Sequence, residues 1–249
     1  MKYPKMILFD YGQTLFNENG FSGTRGTEAV LAECADNPYN VTVEEIQNLA
    51  NEISREMRDY KHELHPNNYL EIHNHQFQNY LYEYFNITIN ISKTESEKIF
   101  WDAAAPCELT KNIERLLTYL QNKQIKIGVI SNISFSGEAL KNRIQEYLPN
   151  IKFEFILSSA DYVFRKPNKR IFEIALRKAK NILGDSIDPT EIWYCGDNPD
   201  WDVQGSNSVG MTPIWYTNAI EKVNIKKPNC NCLKINDWSE VITILEDMR

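Results

Sequence analysis

Five side chains in this chain of 249 residues are of types, and follow segments, that would let them act together. Asp10 follows the apolar run Met6-Ile-Leu-Phe9, and Ser131 closes Ile125-Lys-Ile-Gly-Val-Ile130. Lys166 lies in the loop Arg165-Lys-Pro-Asn168, and Asp197 and Asp202 follow Ile192-Trp-Tyr-Cys195. Alone, an aspartate after an apolar run reads as a turn cap. With these partners it reads as a nucleophile. A carboxylate can attack phosphorus to form an acyl phosphate, dividing one hard step into two, but the two anions repel each other unless cations intervene. Mg²⁺ takes oxygen ligands and keeps several waters, so Asp10, the backbone carbonyl of Gly12 and Asp197 suffice to hold it. Ser131 and nearby backbone N–H groups can donate hydrogen bonds to phosphoryl oxygens, and Lys166 can neutralise both nucleophile and transferring group.

These residues need a scaffold that delivers them to one edge. From residue 106 onward apolar runs of strand length alternate with helical periodicities, the pattern of a parallel sheet with crossover helices. Strands are expected at 6–9, 125–130, 153–157, 192–195, 211–215 and 232–235, with helices at 109–123 and 136–148, another after Pro167, and a last one capped by Asp237. In an open parallel sheet, ligands bind beyond the carboxyl ends of the strands, where Asp10, Ser131, Asn132, Lys166, Asp197 and Asp202 all fall. The fold class is therefore α/β, a Rossmann-like parallel core formed by residues 1–16 and 106–249. Residues 17–105 read as an inserted all-helical module, entered through a loop at 17–26. Thr42-Val-Glu-Glu45 is a capping box for a helix extending to about residue 64, where His65-Pro66 breaks it. A helix after Pro66 carries Tyr69, Leu70, Phe77, Leu81 and Phe85 as an apolar stripe, and residues 92–105 form another.

Composition narrows the partners. Hydrophobic residues at 42% and charged ones at 24% suit a soluble globular protein with a full core, and no segment has the length and apolarity of a membrane span. A net charge of −7 supplies no global positive field for nucleic acid or an anionic membrane, so neither is an expected partner. The N-terminal segment lacks the apolar length of a secretory signal and the five cysteines are odd in number and scattered, so a reducing, cytoplasmic setting is expected. Cys230 and Cys232 have no second pair to complete a metal site, and His62, His65, His73 and His75 have poor spacing for one. The histidines are expected on solvated helix faces or facing substrate.

Phe9-Asp-Tyr-Gly-Gln-Thr-Leu15, Ile130-Ser-Asn132, Arg165-Lys-Pro-Asn-Lys169 with Ile171-Phe172, and Gly196-Asp-Asn-Pro-Asp-Trp-Asp-Val203 resemble, in order, the four motifs of the haloacid dehalogenase-like (HAD) hydrolase superfamily. The resemblance covers the core, and the insert resembles the C1-type helical cap of that superfamily. It implies Asp10 as nucleophile, Ser131 as phosphate-binding residue and Lys166 as the lysine of the third motif. Asp197 would be the metal-ligating acid, with Asp202 either bound to the metal through water or oriented toward Lys166. Asn132 and Gln13 join Ser131 and Lys166 as candidate phosphate-binding residues.

One position departs from the pattern. Phosphatases of the superfamily usually carry a second aspartate two residues after the nucleophile, where this chain has Gly12. Four readings follow: a phosphatase whose proton comes from elsewhere, such as a cap residue or a water held by Gln13; a 2-haloacid dehalogenase; a phosphonatase-like enzyme; or a weakened protein that binds phosphate or a partner. Dehalogenases typically lose the acid that Asp197 retains, and a phosphonatase needs an activated cap lysine, for which Lys61 is the one candidate. The expectation is a Mg²⁺-dependent phosphatase of a small phosphorylated metabolite, acting through an aspartyl phosphate on Asp10.

Overall fold

The computed structural model describes residues 1–59, 70–219 and 227–248. Its centre is a six-stranded parallel sheet built from β1 (Met6–Phe9), β2 (Lys126–Ser131), β3 (Phe155–Ser158), β4 (Ile192–Gly196), β5 (Thr212–Tyr216) and β6 (Leu233–Ile235). The strands lie in the order β6-β5-β4-β1-β2-β3. Strand β1 pairs with β2 on one side, Phe9 opposite Val129, and with β4 on the other, Phe9 opposite Cys195. The chain thus leaves β1 in one direction and returns on its other side, which makes the carboxyl end of β1 the point where a parallel sheet opens a crevice.

The alternation within β1 divides the core. Ile7 and Phe9 belong to one apolar layer with Leu116, Leu120, Leu140, Trp238 and Leu245, whereas Met6 and Leu8 belong to a second with Ile171, Phe172, Ala175 and Ala179. Helices Ile113–Asn122, Gly137–Tyr147 and Trp238–Asp247 therefore supply the first layer, and Lys169–Leu183 the second. Both faces being covered, β1 is apolar without interruption, as in the sequence.

The insert carries helices Gly23–Leu31, Val43–Asp59, Asn74–Tyr84 and Lys93–Ala104. The capping box is present, with the Thr42 N–H donating to Glu45 Oε2 at 2.8 Å and the Glu45 N–H to Thr42 Oγ1 at 3.3 Å. The helix expected after Pro66 begins at Asn74, where His73 caps it, and Leu70, expected on its apolar stripe, is exposed and bridged to Phe164 instead. Three further details differ from the sequence expectation. Helix structure begins at Gly23, because Ser22 Oγ caps the Arg25 N–H, so 17–26 is not one loop. Cys107–Leu109 is a strand antiparallel to Phe16–Glu18, a ribbon at the base of the insert, so the helix expected from 109 starts at Ile113. A second short antiparallel pair, Cys34–Asp36 with Thr88–Ile89, lies inside the otherwise helical insert. Neither pair has an alternating apolar pattern long enough to announce itself. The expected helix end near 64, together with His62, His65 and Tyr69, falls outside the described residues. Among the described residues no helix is long and apolar enough to cross a membrane.

Candidate active site

The Asp10 N–H donates to Cys195 O at 2.9 Å, continuing the β1–β4 ladder one step past the end of β1. The chain then folds back, with the Leu15 and Phe16 N–H groups donating to Tyr11 O at 2.9 and 3.0 Å and Gln13 in the left-handed region at φ 58°. Asp10 is fixed at the sheet edge, 9% exposed.

Lys166 reaches the same point from the loop after β3. Its main chain is clamped by Asn132: the Lys166 N–H donates to Asn132 Oδ1 at 2.6 Å, and Asn132 Nδ2 donates to Lys166 O at 2.9 Å. Lys166 Nζ donates to Asp10 Oδ1 at 2.7 Å, Asp202 Oδ1 at 2.6 Å and Tyr194 OH at 2.9 Å. An ammonium has three protons, so every donor is placed. Burial alone would lower the Lys166 pKa, but Asp10 and Asp202 outweigh it and hold the ammonium charged. Tyr194 OH donates to Ile130 O at 3.0 Å, and burial first, then the neighbouring acids, keeps it a phenol.

Asp202 also accepts the Asn198 N–H on Oδ2 at 2.9 Å. Of the two roles left open for it, the geometry shows the orientation toward Lys166. The turn that carries it, Pro199–Gln204, is π-helical, a rare form that is frequent at functional sites. Gly196 is required by this packing, since a Cβ there would lie 2.3 Å from Asp202 Cγ. Asp197 is buried, its carbonyl held by Trp215 Nε1 at 3.1 Å.

Carboxylate oxygens of Asp10, Asp197 and Asp202 lie within 4.8 Å of one another. Burial pushes the Asp10 pKa up to about 7; Lys166 opposes this, and the Asp202 and Asp197 charges add to it. Lys166 pairs with two of these three buried acids, and the donors the cluster offers are all oxygen. That set suits a hard divalent cation such as Mg²⁺.

The remaining expected site residues are placed as follows. Ser131, 2% exposed, ends β2 beside Asn132, whose side chain turns to the Lys166 main chain. Gln13 Nε2 donates to Glu18 O at 3.3 Å, toward the ribbon at the base of the insert, and its Oε1 is buried without a hydrogen-bond partner. At Gly12 a Cβ would meet nothing within 4 Å, so there is room for a side chain at the position where the resemblance places an acid. His73 is the N-cap of Asn74–Tyr84, accepting the His75 N–H at 3.1 Å, and His75 Nε2 lies 2.8 Å from the buried Glu97. These two therefore serve helix capping and packing rather than solvated faces. Tyr194 was not expected; its signal was a hydroxyl-bearing residue in the middle of an otherwise apolar buried strand.

The description of the haloacid dehalogenase-like hydrolase family matches residues 7–216, and the chain belongs to that family. It is 25% identical over 247 residues to the glyceraldehyde 3-phosphate phosphatase of Methanothermobacter thermautotrophicus, covering 97% of this chain and 99% of that protein. With the pyrimidine 5'-nucleotidase YjjG of Escherichia coli it shares 26% identity over 211 residues, 84% of each protein. A hydrolase of Schizosaccharomyces pombe is 30% identical over 95 residues, 38% of this chain and 42% of that protein. Among solved structures, the 2-haloacid dehalogenase of Pseudomonas syringae pv. Tomato has the same fold, with a TM-score of 0.64, 22% identity, and coverage of 99% of this chain and 100% of that one.

Proposed function

We propose that this hydrolase is a Mg²⁺-dependent phosphatase of a small phosphorylated metabolite, with Asp10 as nucleophile and residues 17–105 as a cap over the site. The observation that carries the proposal is the cluster of three buried carboxylates, Asp10, Asp197 and Asp202, with Lys166 bonded to the first and last of them. Attack on carbon with halide departure needs one carboxylate and its counter-charge; the additional buried acid, Asp197, has a use where a cation and a phosphoryl group must share the site.

Each residue then has a part. Lys166, fixed by three bonds, screens Asp10 from the incoming phosphoryl charge. Ser131 and the backbone N–H groups after β2 bind the phosphoryl oxygens. Asn132 holds Lys166 in register through its main chain, and Tyr194 orients the ammonium. Asp10, Asp197 and the Gly12 carbonyl would hold Mg²⁺, which when bound would favour the ionised form of Asp10 and polarise the phosphoryl oxygens. Asp10 attacks phosphorus as the bond from phosphorus to the leaving oxygen breaks, that oxygen takes its proton from water, and a second water hydrolyses the aspartyl phosphate to inorganic phosphate and the free Asp10 carboxylate.

A phosphomonoester screen with Mg²⁺, run beside Asp10→Asn and beside an EDTA control, tests the proposal. Turnover that needs both the metal and Asp10 is expected. Halide release from 2-haloacids in EDTA would overturn it, as would phosphatase activity that survives Asp10→Asn.

A further inference from the structure

We infer that Glu71, a residue of the insert, is a positioning residue for Lys166; the inference rests on the reading of Lys166 as the catalytic lysine. The segment that leads into Lys166 is not held by the core alone. Leu70 forms an isolated antiparallel bridge with Phe164, and the Glu71 N–H donates to Val163 O at 2.6 Å. The Glu71 carboxylate, whose side chain is only 7% exposed, pairs with Arg165 Nη1 and accepts a hydrogen bond from Ser159 Oγ at 2.7 Å. Ser159 Oγ in turn accepts the Ile133 N–H at 2.9 Å, just past Ser131 and Asn132. One carboxylate therefore ties together the two loops that carry the phosphate-binding serine and the lysine. The Asn74 N–H adds a second contact from the insert, donating to Ser134 O at 2.7 Å.

The backbone it holds is one the sequence does not favour. Val163 sits at φ 68°, ψ −31°, in a region that a β-branched residue rarely occupies. Such a conformation persists only where the surroundings over-determine it. Here the surroundings are the Leu70 bridge, the Glu71 N–H and the Glu71–Arg165 pair. Lys166 begins three residues later, and its Nζ must meet three fixed acceptors at once. A displacement of about 1 Å at a reacting group can cost on the order of 10²-fold in rate. Contact between insert and core is thereby coupled to the reach of the lysine.

A plain structural staple would also join insert to core, and the test separates the two. In the full chain, Glu71→Ala is expected to lower kcat on p-nitrophenyl phosphate roughly 10- to 100-fold with KM changed less than about 3-fold. Glu71→Asp should recover part of kcat. Adding Val163→Gly to Glu71→Ala should also recover part, because glycine adopts positive φ without the strap. Lysine acetylation read by mass spectrometry gives a readout independent of turnover: Lys166 is protected in the unaltered protein and becomes reactive in Glu71→Ala, while the exposed Lys152 is unchanged. If the unaltered protein shows no phosphatase activity, the proposed function fails while the labelling still tests the strap. Glu71→Ala with unchanged kcat and a protected Lys166, or a loss of kcat that Val163→Gly does not reverse, would overturn the inference.

Discussion

Restoring a carboxyl group at position 12 is the most direct perturbation of this site. Gly12→Asp is sterically permitted, because a Cβ there meets nothing within 4 Å and the residue lies outside the left-handed region. A positioned general acid contributes about 10²- to 10⁴-fold, or roughly 3 to 5 kcal/mol of barrier at 1.36 kcal/mol per tenfold. The gain depends on the leaving group. An alkoxide needs the proton and should show the full effect, whereas p-nitrophenolate departs unaided and should show little. The assay is kcat/KM for a series of alkyl and aryl phosphates with Mg²⁺. In the unaltered protein the rate should fall steeply as the leaving group becomes more basic, and Gly12→Asp should flatten that slope from the alkyl end. The added charge joins three acids whose mutual repulsion a divalent cation relieves, so the variant should also need less Mg²⁺ for half-maximal rate than the unaltered protein. A folded Gly12→Asp protein with the same slope and the same alkyl phosphate rates would refute the reasoning, since it would mean that another group already delivers the proton.

Further outcomes follow from the charge balance. Saturating Mg²⁺ at about 100 times its Kd should stabilise the fold by about 2.7 kcal/mol, raising Tm by roughly 5 to 11 °C in calorimetry, and EDTA should reverse it. Lys166→Met leaves Asp10 and Asp202 buried without their counter-charge, so without metal it should cost about 3 to 5 kcal/mol in urea unfolding, and adding Asp202→Asn should recover part of that. The raised pKa of Asp10 means that the folded state holds its proton more tightly than the unfolded chain, so the contribution is full below the unfolded value and is lost as pH rises through about 7. In EDTA, the Tm of the unaltered protein should therefore fall more between pH 4.5 and 7.5 than that of Asp10→Asn; parallel curves would contradict the shift.

The core was legible because its signals are local. Buried parallel strands are short continuous apolar runs, and Asp10, Ser131 and Asp197 stand at or just past the end of one, so strand ends located these three together. Partner choice within the site was not legible. Asn132 lies next to Ser131 and was expected at phosphate, yet its amide meets Lys166, whose main chain lies 34 residues away and whose approach depends on the packing of the loop after β3. Tyr194 looked like any core aromatic until Lys166 arrived at its hydroxyl. The insert was legible only as a helical region. Its short ribbons pair residues far apart in sequence, Phe16 with Leu109 and Cys34 with Ile89, through so few positions that no periodicity marks them.

The same distinction bears on how the insert and the core divide the work. Trp101 of the insert stacks on Phe135 of the core with ring centroids 4.3 Å apart, and the buried Glu97 accepts from the Ser136 N–H at 2.9 Å and from Ser136 Oγ at 2.5 Å. Arg143 donates to Tyr11 OH at 2.9 Å and to Asp102 Oδ1 at 2.6 Å, joining the residue next to the nucleophile to a helix of the insert. Burial and the nearby Glu18 keep Tyr11 a neutral phenol, so its contact with Arg143 is a hydrogen bond rather than an ion pair. These contacts reach the loops after β1 and β2, and the Glu71 contacts reach the loop after β3. A change in the seating of the insert must therefore be felt at Asp10, at Ser131 and at Lys166 through separate bonded routes. A cap that only excluded water would need none of them; one that sets the geometry of nucleophile, phosphate site and lysine together needs all three.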